Sequence, residues 1–136
     1  MRTNTPATLY NACKIDGKTV YQRTVLAAVY WEDNKQAVIR KTGAAGADSA
    51  TVYIPFSVDA GGRRHKKPKA YAVDPCGAFT IAPKDYLVKG VCRYEYGPDA
   101  PISQLTQNYD DVLTITGVDT KDMGSPAMRH WEVSGK

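Results

Sequence analysis

Apolar and polar residues alternate over short stretches of this chain, and a two-residue period of this kind is typical of β-strands. Turn-forming residues such as Gly, Pro, Asp and Asn separate these stretches. The pattern predicts eight strands, at Thr8–Lys14, Val20–Glu32, Ala37–Thr42, Ala50–Phe56, Phe79–Ile81, Asp85–Tyr94, Val112–Val118 and Met128–Val133. Strands of this spacing are typical of a barrel or sandwich with predominantly antiparallel pairing.

The stretch Val20–Glu32 is unusually long for a strand and is apolar on both faces. Its many branched and aromatic side chains disfavour a helix. We therefore expect one long strand covered on both sides, preceded by a hairpin turn at Asp16-Gly17. Strict alternation puts two sets of residues on opposite faces, Val25, Ala27, Val29 and Trp31 on one and Thr24, Leu26, Ala28 and Tyr30 on the other.

Several segments are predicted to lie outside the strands. Residues 1–7 are expected to form an N-terminal arm, residues 57–70 a long basic loop, and residues 134–136 a C-terminal tail. Turns are expected at residues 32–35 and 119–125. The run of small residues that contains Gly43 and Gly46 predicts a mobile loop, because such residues neither pack a core nor fix a conformation. One short helix is expected at residues 101–108, with a proline in its first turn.

The size and composition of the chain are those of one globular domain. It has 136 residues, 43% of them hydrophobic and 24% charged, which are ordinary values for a folded protein. Together with the strand pattern, they predict a mainly β fold, a small antiparallel β-barrel or sandwich of about seven or eight strands with long loops and at most one short helix. No apolar run approaches the roughly 20 residues that span a bilayer, and the first six residues show no secretion signal. We expect synthesis in the cytosol and no membrane partner.

The positive charge of the chain is concentrated in one loop. Removing the five cations of this loop from the net charge of +4 leaves −1, so the remaining chain is nearly neutral. The five are Arg63, Arg64, Lys66, Lys67 and Lys69. Three interpretations stay open for them: a solvated loop, a contact with an acidic protein surface, and a contact with DNA through phosphate attraction.

No pattern of catalytic or metal-binding residues is present in the sequence. The two histidines, His65 and His130, stand apart, and the three cysteines, Cys13, Cys76 and Cys92, have no metal-ligand spacing. A structural metal site needs about four clustered ligands, and no nucleophile motif or phosphate-binding loop occurs. We expect no enzyme activity, no cofactor and no metal, with the cysteines as core or half-buried thiols.

Five stretches of the chain carry a resemblance to a known family. They are Thr8–Asn11, Tyr21–Val25, Ser49–Pro55, Asp85–Gly90 and Gly124–Lys136, and the ending Met-x-His-Trp-Glu-Val-x-Gly-Lys is the most specific. Together they resemble a family of small virion proteins encoded by siphophages and prophages of Gram-positive hosts. The residues of the shared pattern that we single out are Tyr53, Pro55, Gly90, His130 and Trp131. The residues at 43–47 and the basic loop lie outside that pattern.

The resemblance implies a head-closure, or stopper, protein of the head–tail connector, built around a small β-barrel and present as a ring. Its partners would be other copies of itself, the portal-bound adaptor and the tail terminator, with duplex DNA passing nearby. The family pattern supplies no catalytic residues. Two alternatives remain: a tail terminator or tail-completion protein, and a nucleic-acid-binding barrel that uses the basic loop.

Overall fold

The computed structural model describes residues 2–34, 49–97 and 100–136, and it confirms the mainly β fold. Its elements are strands β1 (Thr5–Ile15), β2 (Lys18–Asn34), β3 (Ser49–Pro55), β4 (Arg64–His65), β5 (Ala78–Phe79), β6 (Tyr86–Lys89), β7 (Val112–Lys121) and β8 (His130–Gly135), and helices α1 (Pro68–Val73) and α2 (Ser103–Asn108). The expected strand at 37–42 and the expected mobile loop with Gly43 and Gly46 lie outside the described residues.

Six of the strands close into a barrel in the order β1-β2-β3-β8-β7-β6. Every neighbouring pair in it is antiparallel, and closure leaves no free edge strand. β1 and β2 form the predicted hairpin, in which Asp16 and Gly17 both have positive φ, at 52° and 77°. This is the backbone of a type I′ turn, which suits the twist of the two strands.

The interior of the barrel is an apolar core built by alternate residues of the strands. Ala7 and Leu9 of β1, Val52 and Ile54 of β3, and Val133 of β8 are all buried in it. Outside the barrel, residues 91–97 and 100–109 cover the outer face of β1 and β6. There Leu105 of α2 packs with Tyr10, Val88 and Cys92, so β1 is buried on both faces.

A bulge breaks the strict alternation expected for the long strand. Thr5 pairs with Val29 but Ala7 pairs with Leu26, so β2 carries an extra residue at this point. Leu26, Val29 and Trp31 are therefore all buried in the core, although alternation places Leu26 opposite the other two. Bulges of this kind re-aim side chains, which explains why both faces of the sequence pattern are apolar.

Several predicted boundaries are wrong, mainly because strands continue further than their patterns. β2 runs through the turn expected at 32–35 as far as Asn34, β7 runs into the turn expected at 119–125 as far as Lys121, and β8 reaches into the expected tail. β1 likewise begins within the expected arm. The opposite error occurs at Asp85–Tyr94, where β6 ends at Lys89 because Gly90 turns the chain with a φ of 86°.

The helix content also exceeds the prediction of at most one helix. α2 begins at Ser103, two residues after the expected proline, and α1 is a second helix that starts inside the expected basic loop and continues beyond it. A short 3-10 helix, Pro126–Met128, precedes β8. The small strands β4 and β5 pair in parallel, an exception to the predicted antiparallel pairing.

Candidate interaction surface at the end of the barrel

The chain between β3 and β6 leaves the barrel wall and covers one barrel end. It begins after Pro55, forms the parallel pair β4–β5 and the helix α1, and returns at Tyr86. Two hydrogen bonds fix its start, one from the Ala27 amide to the Asp59 carbonyl at 2.9 Å and one from the Phe56 amide to the Arg129 carbonyl at 3.1 Å. We call residues 56–85 the end segment.

An aromatic cluster attaches the end segment to the barrel. The ring centroid of Trp131, in β8, lies 4.2 Å from that of His65, 4.4 Å from that of Phe56 and 6.5 Å from that of Phe79. Burial, followed by the charge of Lys67, lowers the pKa of His65 below its ordinary value. A neutral imidazole stacks on the indole without the cost of burying a charge, so His65 contributes to packing.

Two of the five loop cations are held by their own chain. The Arg63 guanidinium donates to the Gln22 side-chain oxygen at 2.7 Å and to the Ala78 carbonyl at 3.2 Å. Lys66 donates to the Asp74 carbonyl at 3.0 Å and lies 3.5 Å from its carboxylate. The bond to Gln22 ties the end segment to β2, and the bonds to Ala78 and Asp74 connect parts of the segment itself, so Arg63 and Lys66 stabilise its fold.

The other three cations, Arg64, Lys67 and Lys69, are exposed. Lys67 borders a cleft of about 580 Å³ that is also lined by Phe56, His65 and Trp131 of the aromatic cluster and by Asp122. The connection between β7 and β8 borders the same cleft and exposes Met123 (84%) and Met128 (57%). This barrel end therefore combines three solvent-facing cations with exposed apolar side chains.

Four of the five residues singled out for the resemblance lie together on the barrel wall, in β3 and β8. β3 and β8 are register partners, with Tyr53 opposite Glu132 and Pro55 opposite His130, so these two stretches of the resemblance form one ladder. The Tyr53 and His130 rings lie 5.6 Å apart. Gly90 lies elsewhere, where its amide donates to the Pro6 carbonyl at 2.8 Å and its carbonyl accepts from the Thr8 hydroxyl at 2.9 Å. These residues shape the barrel.

Sequence reasoning missed a buried polar network where the end segment meets β1. The side-chain amide of Asn11 donates to the Thr80 carbonyl at 2.6 Å and to the Asp85 carboxylate at 2.8 Å. The backbone amide of Ala12 donates to the same carboxylate at 3.2 Å. Burial raises the pKa of Asp85 to about 6 against these hydrogen bonds. The only signal in the sequence was Asn11 itself, a polar residue that the two-residue strand period places on the same inward face as Ala7 and Leu9.

The cysteines occupy different environments. Cys13 and Cys92 are buried free thiols, in agreement with the prediction, whereas Cys76 is exposed. Cys76 lies in the turn between α1 and β5, so the prediction of a core or half-buried thiol is wrong for this residue. Within the described ranges, no group of three or more His, Cys, Asp or Glu side chains is arranged to hold a metal ion. None of the helices in those ranges is long and apolar enough to cross a membrane.

The fold and this surface define a small closed β-barrel with an elaborated end. Residues 2–136 match a family described as a family of unknown function (DUF6751), and the chain belongs to that family. No curated protein and no solved structure matches it.

Proposed function

We propose that this chain is a structural subunit of the head–tail connector of a tailed bacteriophage, and that its place there is head closure. The resemblance supplies the particular role. The barrel supports it in a general way, since the most specific stretch of the resemblance includes β8, which pairs with the Ser49–Pro55 stretch in β3. A rigid closed barrel suits a subunit whose task is to fix the geometry of a ring.

Exposed apolar side chains on the segments around the barrel carry this proposal. Val73, at the end of α1, is 87% exposed and Met123 is 84% exposed. A closed barrel offers no edge strand for pairing, and both of these exposed side chains lie on connecting segments. Subunits of a ring need two different complementary surfaces, and apolar side chains on two separate connections meet that requirement.

The partners in this proposal are other copies of the chain, the portal-bound adaptor on one side and the tail terminator on the other. Assembly would take place in the host cytoplasm and the finished position would be in the virion. Arg64, Lys67 and Lys69 face an acidic protein surface in this arrangement, while duplex DNA passes only transiently. Many copies of a basic loop lining the channel would bind the exiting DNA strongly.

Deleting the gene in its phage or prophage tests the proposal. Particles without this chain are expected to lose their packaged DNA and to stay unjoined to tails, and expression of the wild-type chain restores both. Val73→Asp is expected to fold but fail to restore joining, whereas Gln107→Glu, at an exposed site on α2, restores it. Particles that keep their genomes and join tails normally without the chain would refute the proposal.

Two alternatives make different predictions. A tail terminator, when deleted, leaves filled and closed heads and abnormal tails, and its ring would differ in subunit number. A nucleic-acid-binding barrel is favoured by the exposure of Arg64, Lys67 and Lys69. In that case a gel shift with duplex DNA would weaken steeply with salt, and the triple replacement of these residues by Gln would abolish it.

A further inference from the structure

A cavity of about 370 Å³ lies beneath α1, between the helix and the end of β1. Tyr71 of α1, Cys13 of β1, and Thr80 and Asp85 of the end segment all line it. Its volume is at the small end of the range of ligand pockets. The head-closure proposal makes no use of this cavity.

Two buried hydroxyl groups in the wall of the cavity have no hydrogen-bond partner of good geometry among the described residues. They belong to Tyr71 and Thr80, each 2% exposed, and the Cys13 thiol lies beside the Tyr71 hydroxyl. A buried polar group without a partner costs about 1–3 kcal/mol, so native proteins rarely leave two in one place. Burial, followed by the nearby Cys13 thiol, raises the pKa of Tyr71, so its phenol is neutral. Both oxygens therefore keep unused capacity to accept a hydrogen bond.

The third polar group in the cavity is a carboxylate. Asp85 is 5% exposed and accepts hydrogen bonds from Asn11 and Ala12, one on each oxygen. Each carboxylate oxygen can accept a further hydrogen bond. No ion pair within the described part of the chain involves Asp85. Lys14 also lines the cavity, but its side chain is exposed. A buried acid without a cation is unusual, because buried charges are normally paired.

We propose that the cavity beneath α1 binds a primary ammonium group carried on a short alkyl chain. An ammonium has three donors and no acceptor, and the Asp85, Tyr71 and Thr80 oxygens all accept. The rest of the wall includes Ala12, Pro68, Ala72 and Ala82, which suit methylene groups. An anion would be repelled by Asp85. The ammonium belongs either to a free small amine or to the lysine side chain of another protein chain.

Titration of the full-length chain with n-butylammonium chloride, followed by amide NMR, tests this site. We expect saturable shifts of the amides of Cys13, Tyr71, Thr80 and Asp85. n-Butanol and sodium butyrate, at equal concentration and ionic strength, should not produce them. The absence of saturable shifts, or equal shifts with n-butanol, would overturn the proposal.

Substitutions in the wall identify the groups that bind. Asp85→Asn removes the charge and should weaken butylammonium binding at least about tenfold, since hydrogen bonds to charged groups are the stronger ones. Asp111→Asn, at an exposed site, should leave it unchanged. Should Asp85→Asn fail to fold, Tyr71→Phe and Thr80→Val keep the carboxylate, and each should weaken binding about two- to tenfold. Wild-type affinity in these cavity variants would refute the site.

A second ligand separates the two sources of the ammonium. Nα-acetyl-lysine methylamide carries the same alkylammonium on a peptide backbone. Binding comparable to that of butylammonium indicates that a lysine of another chain can enter. Binding of butylammonium alone assigns the cavity to a free amine.

Discussion

The barrel interior and the cavity beneath α1 are both buried, but they are stabilised in different ways. The interior is filled by aliphatic side chains, Phe79 and two tryptophans, and close packing sets its stability. Beneath α1 the buried groups include an amide, a carboxylate and two hydroxyls that have no partner in the part of the chain that the structure describes. Substitutions should therefore act through volume in the first region and through hydrogen bonding and charge in the second.

The largest effect is expected at Gly135, where β8 packs against β7 inside the barrel. A Cβ at this position would lie 2.5 Å from both the Leu113 Cγ atom and the Thr114 carbonyl oxygen. The carbonyl belongs to the barrel wall and moves only with it, so Gly135→Ala should cost about 3 kcal/mol or more in the free energy of unfolding. Urea denaturation measures the change.

Gly117→Ala is the matched control for that substitution. It adds the same methyl group to the neighbouring strand, but a Cβ there meets no heavy atom within 4 Å. Its effect should stay within about 0.5 kcal/mol. Equal losses for the two variants would mean that packing does not distinguish the two positions.

The next largest effect concerns charge beneath α1. Burial raises the pKa of Asp85 from 3.8 to about 6. Between these two pH values the folded chain therefore still holds a proton that the unfolded chain has released. Stability from this group is complete below the unfolded pKa and is lost as pH rises through about 6. The loss should be on the order of 2–3 kcal/mol.

Asp85→Asn tests this dependence because it removes the titrating group. Urea denaturation at pH values from 4 to 7 should show that the decline of wild-type stability disappears in the variant. Asp111→Asn, which removes an exposed carboxylate, should keep the decline. A wild-type pH profile in Asp85→Asn would show that another group is responsible.

The barrel and the cavity also differ in how far the sequence predicts them. Alternating branched residues such as Val52, Ile54 and Val133 identified the barrel strands, because side-chain period and burial are linked in a sheet. Strand ends were less predictable, since β7 and β8 extend each other by backbone pairing that side chains barely influence.

The candidate surface was only partly predictable. The cluster of cations was evident in the sequence, but not that Arg63 would bond to Gln22, 41 residues away. The cavity was not foreseen at all. Asn11, Tyr71 and Asp85 are brought together by contacts between distant segments, and no local pattern encodes such contacts.

A smaller effect distinguishes two buried threonines. Thr8 donates to the Gly90 carbonyl at 2.9 Å and accepts from the Cys92 amide at 2.8 Å, whereas the Thr80 hydroxyl has no partner. Thr8→Val leaves the buried Cys92 amide and the partly buried Gly90 carbonyl without this partner and should cost about 1–2 kcal/mol. Thr80→Val removes a buried hydroxyl that makes no bond, so it should not lower stability and should raise it by up to about 1 kcal/mol. Thermal unfolding without added amine compares the stabilities of the two variants. A greater loss of stability in Thr80→Val would mean that the Thr80 hydroxyl, and not that of Thr8, makes the stabilising hydrogen bonds.

The smallest effect is expected at the ion pair that connects the two ends of α1. Lys66 precedes the helix and Asp74 follows it, with 3.5 Å between the ammonium and the carboxylate. Exposed pairs of this kind contribute about 0–1 kcal/mol, so Lys66→Ala should lower stability by less than about 1 kcal/mol, and by less still at high salt. Lys121→Ala, which removes a 3.7 Å contact with Glu132 on the barrel wall, is the control.

Amide hydrogen exchange tests whether the Lys66–Asp74 pair holds α1 over the cavity. If it does, Lys66→Ala should speed exchange at Tyr71 and Asp74, whose amides bond within the helix, and Lys121→Ala should not. Unchanged exchange in both variants would mean that Tyr71 packing alone holds the helix in place.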